Sequence, residues 1–110
     1  MVVKEKKVGD VIVLVIEGEI NFNSSPDFRK AFLKVLESKA LKVAVNLSSV
    51  AYVDSSGLAT LVEAHQKMKG SGGRLRLTNL TPKVRSLFEI TKLEKLFDIQ
   101  STEEEAVKNF

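Results

Sequence analysis

The chain has 110 residues, 44% of them hydrophobic and 28% charged, with a formal net charge of +3. That length suits one domain rather than two and allows a core that needs no staple, so residues 1-110 are read as one domain. Zero cysteines exclude disulfides, thiolate nucleophiles, iron–sulfur clusters and cysteine-ligated zinc, and a single histidine removes most remaining metal chemistry.

Residues 2-7 and 11-17 are short β-rich segments, and the Gly9-Asp10 turn signal between them predicts a hairpin. Val11–Ile16 is the longest apolar run, far short of the roughly 20 residues a membrane-spanning helix needs. It lacks alternation, so it is expected to be a central strand covered on both faces. Met1–Lys7 offers charge with no hydrophobic stretch behind it and no small-residue cleavage site. A secretory signal is therefore not expected, and the location read is the cytoplasm.

Gly18, Asn21, Asn23, Ser24 and Ser25 end the strand in a loop. Ser25-Pro26-Asp27 then opens a helix, with a serine cap, proline at the first helical position and an acid facing the positive dipole end. Phe28, Ala31, Phe32, Val35 and Leu36 form its apolar stripe. Leu41–Leu47 returns to β character, with Val43 and Val45 on one face and Ala44 left for close packing on the other. From Leu58 the period is helical again through Leu61, Val62, His65 and Met68, until Gly70-Ser71-Gly72-Gly73 closes the helix.

Leu75 and Leu77 alternate with Arg74 and Arg76, which predicts a strand with one wet face. Thr81-Pro82 starts a third amphipathic helix carrying Val84, Leu87 and Phe88. The short apolar stretch Leu96–Ile99 precedes a last helix, where Ser101 with Glu104 and Thr102 with Glu105 form overlapping capping-box patterns. The order β-β-α-β-α-β-α-β-α implies an α/β domain: a mixed or mostly parallel sheet of four to five strands wound with about four helices.

Eight basic residues lie between Lys67 and Lys95 (67, 69, 74, 76, 83, 85, 92 and 95), and Asp98–Glu105 holds four acids and no base. The one aromatic among the bases, Phe88, belongs to an apolar helical stripe, so this is read as a solvated surface, without direct nucleic-acid contact or membrane insertion.

Asp54-Ser55-Ser56-Gly57-Leu58 falls between a strand and a helix, where two hydroxyls are exposed and the free N–H groups of a first helical turn accept an anion. Either Asp54 or Ser55 caps the helix while Gly57 permits close approach to the sheet, or the serines receive a phosphoryl group. His65 lies about 15 Å of helical rise from Ser55, too far for a catalytic dyad, and the leading glycine of G-x-S-x-G is missing. The glycine cluster at 70-73 runs from helix into strand, the wrong order for a phosphate loop. Glu17 and Glu19 are read as solvated edge residues. No catalytic residue, metal site or cofactor is expected.

Gly18-Glu19-Ile20 after a hydrophobic strand, Val53-Asp54-Ser55-Ser56-Gly57-Leu58, Gly72-Gly73 before a strand and Leu87-Phe88-Glu89-Ile90 together resemble the STAS domain. More narrowly they resemble the free-standing bacterial anti-sigma factor antagonists, from about Val11 to Ile99. The resemblance implies partner switching without catalysis. The unphosphorylated protein would bind an anti-sigma factor that is also a serine kinase and so free the sigma factor; phosphorylation would end the binding and a PP2C-type serine phosphatase would restore it. It selects Ser55, directly after the aspartate, as the phosphorylated residue, a choice that geometry leaves open between Ser55 and Ser56. It implies a partner-binding set of Asn21, Ser24, Asp54, Ser55, Ser56, Gly57 and Leu58. Two residues depart from the pattern. Asn21 stands where relatives commonly have aspartate, which bears on kinase or partner preference, and Lys92 stands where they often have glycine. The alternative role is an unphosphorylated STAS accessory or scaffold subunit of a membrane transporter or other signalling complex. Ligand sensing by the domain itself would require a sizeable apolar cavity.

Overall fold

Strands β1 (Val2–Val8) and β2 (Val11–Glu17) pair antiparallel across Gly9, whose φ of 62° is the positive value that primed hairpin turns require at their first position. The computed structural model describes residues 1-108 and 110. After the hairpin, helices and strands alternate: α1 (Ser25–Glu37), β3 (Lys42–Ser49), α2 (Ser55–Gly70), β4 (Arg74–Thr78) and α3 (Pro82–Ile90). A 3₁₀ turn at Leu93–Lys95, β5 (Asp98–Gln100) and α4 (Glu103–Val107) follow. The sheet order is β1-β2-β3-β4-β5, parallel from β2 onward.

Each parallel crossover carries one helix, and right-handed connections between successive neighbours put α1, α2 and α3 on the same face. There Leu14 and Ile16, Val43, Val45 and Leu47, and Leu75 and Leu77 bury against the stripes headed by Phe28, Leu58 and Val84. On the other face Val11, Val13 and Ala44 meet Ala106 of α4. The unalternating run of β2 is thus covered on both sides.

The face of β4 that alternation marks as wet is only half so. Arg74 is exposed, but Arg76 is 8% exposed beneath α4. Its Nε donates to Asp98 Oδ2 at 2.8 Å, and its Nη1 donates to the carbonyls of Ala106 (3.0 Å) and Lys108 (2.9 Å). The guanidinium also lies 4.4 Å from the centroid of the Phe110 ring. The last carbonyls of a helix have no intrahelical partner, so a buried arginine below a five-residue helix satisfies both sides at once.

Helix starts also differ from expectation. Ser24, not Ser25, is the cap residue of α1, and its Oγ turns back into the loop, accepting from Asn21 N (2.9 Å) and donating to Glu19 O (2.7 Å). Helix α2 begins at Ser55, ahead of its apolar stripe. Of the two patterns before α4, Thr102 forms the cap, its Oγ1 accepting from Glu105 N at 3.1 Å. Lys92 itself adopts the left-handed φ of 60° that glycine would fill without strain, so the end of α3 keeps its usual turn.

Glu103 of α4 accepts from Lys6 Nζ (2.7 Å) and Asn46 Nδ2 (3.0 Å). Burial pushes the Glu103 and Asp98 carboxyls up, but hydrogen bonds outweigh it, from Lys6 and Asn46 in one case and Arg76 and Gln100 in the other. Both carboxyls are held below the usual carboxylate range. Such groups stabilise the fold above their unfolded pKa, about 4, and that contribution disappears as pH falls through the lower folded value. Urea titrations of Arg76→Ala are expected to show a loss of about 2–4 kcal/mol at neutral pH, because the substitution leaves two carbonyls and a carboxylate without their donor. The variant's stability is expected to fall less steeply than that of the wild type between about pH 5 and pH 2.

Candidate partner-binding site

Beyond the sheet's end the chain leaving β2 runs beside the chain leaving β3. Gly18 N donates to Ser49 O (3.2 Å), Ile20 N to Tyr52 O (3.0 Å) and Asp54 N to Ile20 O (3.1 Å), with a parallel bridge between Ile20 and Val53. Both bridge side chains are buried, which anchors two exposed loops to the core.

Asp54 ties those loops together. Its Oδ1 accepts from Gly57 N at 2.8 Å, capping α2, and its Oδ2 accepts from Phe22 N at 3.0 Å. A Cβ at position 57 would lie 2.3 Å from Ile20 O and 2.9 Å from side-chain carbons of Ile20 and Val53, so glycine is what lets α2 start here. Asn21 shapes the facing loop. Its Oδ1 accepts from Asn23 N (3.0 Å) and Ser24 N (3.1 Å), as an aspartate could, while its Nδ2 donates to Glu19 Oε2 (3.2 Å), as an aspartate could not.

Ser55, the first residue of α2, is exposed, and its hydroxyl makes no hydrogen bond among the described residues. It borders a groove of about 630 Å³ walled by Tyr52, Leu58, Lys83, Leu87 and Ile90. Half-buried Ser56 borders a second groove of about 660 Å³ between α1 and α2, walled by Phe22, Pro26, Arg29, Ala59 and Glu63. In the second groove Arg29 Nε (2.9 Å) and Lys67 Nζ (3.2 Å) bind Glu63, and Arg29 first, then Lys67, hold its carboxyl below the usual range. In the first, Lys83 Nζ lies 5.7 Å from the centroid of the Tyr52 ring.

The structure therefore gathers Asn21, Ser24, Asp54, Ser55, Ser56, Gly57 and Leu58 at one end of the sheet, though not as one surface. Ser24, Gly57 and Leu58 are buried and support the loops; Ser55 is exposed and Asn21, Asp54 and Ser56 half-exposed. The apolar surface around them comes from residues outside the expected set: Phe22, 75% exposed, Ile90, 79%, and Tyr52, 42%. Two carried a signal in the sequence. Phe22 is an aromatic inside a polar loop, and Ile90 falls off the stripe of Val84, Leu87 and Phe88. His65 is half-buried, its ring 5.3 Å from Phe97. Among the described residues no helix is long and apolar enough to cross a membrane.

A five-stranded mixed sheet with three crossover helices on one face, a short helix on the other and its candidate site on end loops defines a small α/β domain of a recurrent kind. The chain belongs to the STAS domain family, whose profile matches residues 3–106. It is 36% identical over 93 residues to the anti-sigma-B factor antagonist of Bacillus subtilis (strain 168), covering 84% of each chain. It is 32% identical over 91 residues to a STAS-domain containing protein of Pseudomonas aeruginosa (strain UCBPP-PA14), covering 83% of this chain and 89% of that one. The crystal structure of a Thermotoga maritima protein, provisionally described as an anti-sigma factor antagonist, superposes with a TM-score of 0.91 at 29% identity, covering 96% of this chain and 92% of that one. Anti-sigma factor antagonists are regulatory proteins rather than enzymes.

Gly57→Ala tests the close approach. The added methyl must displace the Ile20 backbone, so chemical denaturation is expected to show a loss of about 2–4 kcal/mol. Amide resonances of Ile20, Phe22 and Asp54 are expected to move together.

Proposed function

We propose that this protein is a cytoplasmic anti-sigma factor antagonist, switched by phosphorylation of Ser55. Unphosphorylated, it binds an anti-sigma factor with serine kinase activity and so frees the sigma factor. Phosphorylated, it lets go, and a PP2C-type serine phosphatase resets it. The observation that carries this reading is the placement of Ser55: an exposed, unbonded hydroxyl on the first residue of α2, bordered by apolar surface. The names of its Bacillus subtilis and Thermotoga maritima relatives support the general role.

A phosphoryl group adds about −1.5 to −2 charges, which the positive end of α2 tolerates. The Phe22 and Gly57 N–H groups are already held by Asp54, so the loops need not reorganise around the phosphate. The effect falls on the complex, where a charge amid Phe22, Tyr52 and Ile90 must shed its water against a partner. A 100-fold loss of affinity needs only about 2.8 kcal/mol. In this reading Asn21, Asp54, Ser55, Ser56, Phe22, Tyr52 and Ile90 meet the partner, with Ser24, Gly57 and Leu58 setting their positions.

The test is affinity capture from native lysate with wild type, Ser55→Ala and Ser55→Asp as baits. A kinase-like anti-sigma factor is expected with the first two, and about 100-fold weaker with Ser55→Asp, whose melting temperature stays within about 3 °C of wild type. Equal capture of transporter subunits by all three baits would replace this reading with the scaffold role. Unfolding of Ser55→Asp would show that the helix start does not tolerate charge.

A further inference from the structure

Ser55 and Lys83 stand at the starts of two helices, α2 and α3, and line the same groove. Thr81, the cap of α3, accepts from Val84 N (3.4 Å) and donates to Val50 O (3.3 Å). The first turn of α3 is thereby tied to a buried residue of the segment that leads through Tyr52 to Ser55. Tyr52 is fixed in turn, its carbonyl accepting from Ile20 N at 3.0 Å. Between these anchors lies the groove of about 630 Å³, and among its described walls Lys83 is the one cation and Asp54 the one carboxylate.

The Asp54 carboxylate is committed to the Phe22 and Gly57 N–H groups, so a phosphoryl group on Ser55 meets like charge from its own neighbour. On the other side of the α2 start, Arg29 lines the groove that Ser56 borders, and Glu63 holds its Nε at 2.9 Å. Lys83 is exposed, and its Nζ rests 5.7 Å from the centroid of the Tyr52 ring, close to the limit of about 6 Å for a cation–π contact. At an exposed side chain that hold is weak, whereas a hydrogen bond between two charged groups is about twice as strong as a neutral one. The flexible lysine stem lets the ammonium move across the groove while the anchored backbone stays in place.

We propose that Lys83 is the internal counter-ion of phosphorylated Ser55: the ammonium leaves the Tyr52 ring and pairs with the phosphoryl oxygens across the groove. This rests on the reading of Ser55 as the modified residue. One cation against about −1.5 to −2 charges leaves the group anionic, so the charge that opposes a partner remains. The pair also withdraws the ammonium from the surface a partner meets and lays the lysine stem over the apolar wall beside Tyr52. A single modification thus changes both the charge and the shape of the groove.

The test needs no kinase. Phosphoserine is incorporated at position 55 of the full chain during translation, and the second ionisation of its phosphate is followed by phosphorus NMR at low ionic strength. Its failure is therefore separate from a failure of the lysate capture, which asks whether Ser55 controls a partner. With Lys83 present the phosphate is expected to titrate about 0.5 pH units lower than in Lys83→Gln, a gap that narrows as salt is added. Lys83→Arg, which keeps the charge, is expected to stay within about 0.2 units of wild type, as is Arg85→Gln, which removes an exposed cation of α3 that is not among the groove walls. The Tyr52 ring resonances are expected to differ between the phosphorylated and unphosphorylated chains, and less so in Lys83→Gln. Equal titration of wild type and Lys83→Gln, or an equal rise in Arg85→Gln, would overturn the proposal.

Discussion

Any side chain at position 57 would press within 2.3 Å of the Ile20 carbonyl oxygen, so the chain leaving β2 and the start of α2 touch backbone to backbone. From that contact follow the Ile20–Val53 bridge, the reach of the Asp54 carboxylate to both Phe22 N and Gly57 N, and the outward placement of Ser55. The result is a rigid support under an exposed hydroxyl. A modification made there has little structure to undo, and its influence passes to whatever lies against the loops.

The two faces of the sheet are held by different physics. Under α1, α2 and α3 the core is almost wholly aliphatic and aromatic, and its strength scales with buried area. Under α4 the apolar cluster is small, and the helix is held by directional bonds from Arg76 and by the link of Glu103 to Lys6 and Asn46. An arginine suits that position because its planar fork serves a carboxylate and two carbonyls together, while its stem covers apolar surface. Part of the second face therefore depends on charge state in a way the first does not.

Much of this organisation was legible from residue order. The stripes through Phe28, Leu58 and Val84, the turn at Gly9 and the small Ala44 each carry their period or size in the sequence, and the elements fall where those signals lie. Arg76 was not legible, because alternation separates two faces without saying whether water or a helix covers the second. A five-residue helix gives too little pattern to announce itself as a lid. Gly57 could be placed as the close contact from its type alone, whereas the cap stayed open between Asp54 and Ser55 until the fold showed Asp54 holding Gly57 N. The apolar rim of Phe22, Tyr52 and Ile90 was missed because it joins a loop, a strand extension and a helix far apart in the chain.

The sheet's strand order is its chain order, so every new strand pairs with the one made just before it. During synthesis the growing edge is always the most recent strand, and no distant segment must be awaited to fill a gap in the sheet. Short closures of this kind have low entropic cost and favour rapid folding. The same arrangement leaves an open edge at each step, and an open edge can recruit foreign strands. Here the series stops on β5, only three residues long, too short to serve as a template. At the opposite border β1 carries Lys4, Lys6 and Lys7, whose charges discourage stacking of one molecule on another. A fold that grows by adding to its own edge thus ends with both edges made unfit for further growth.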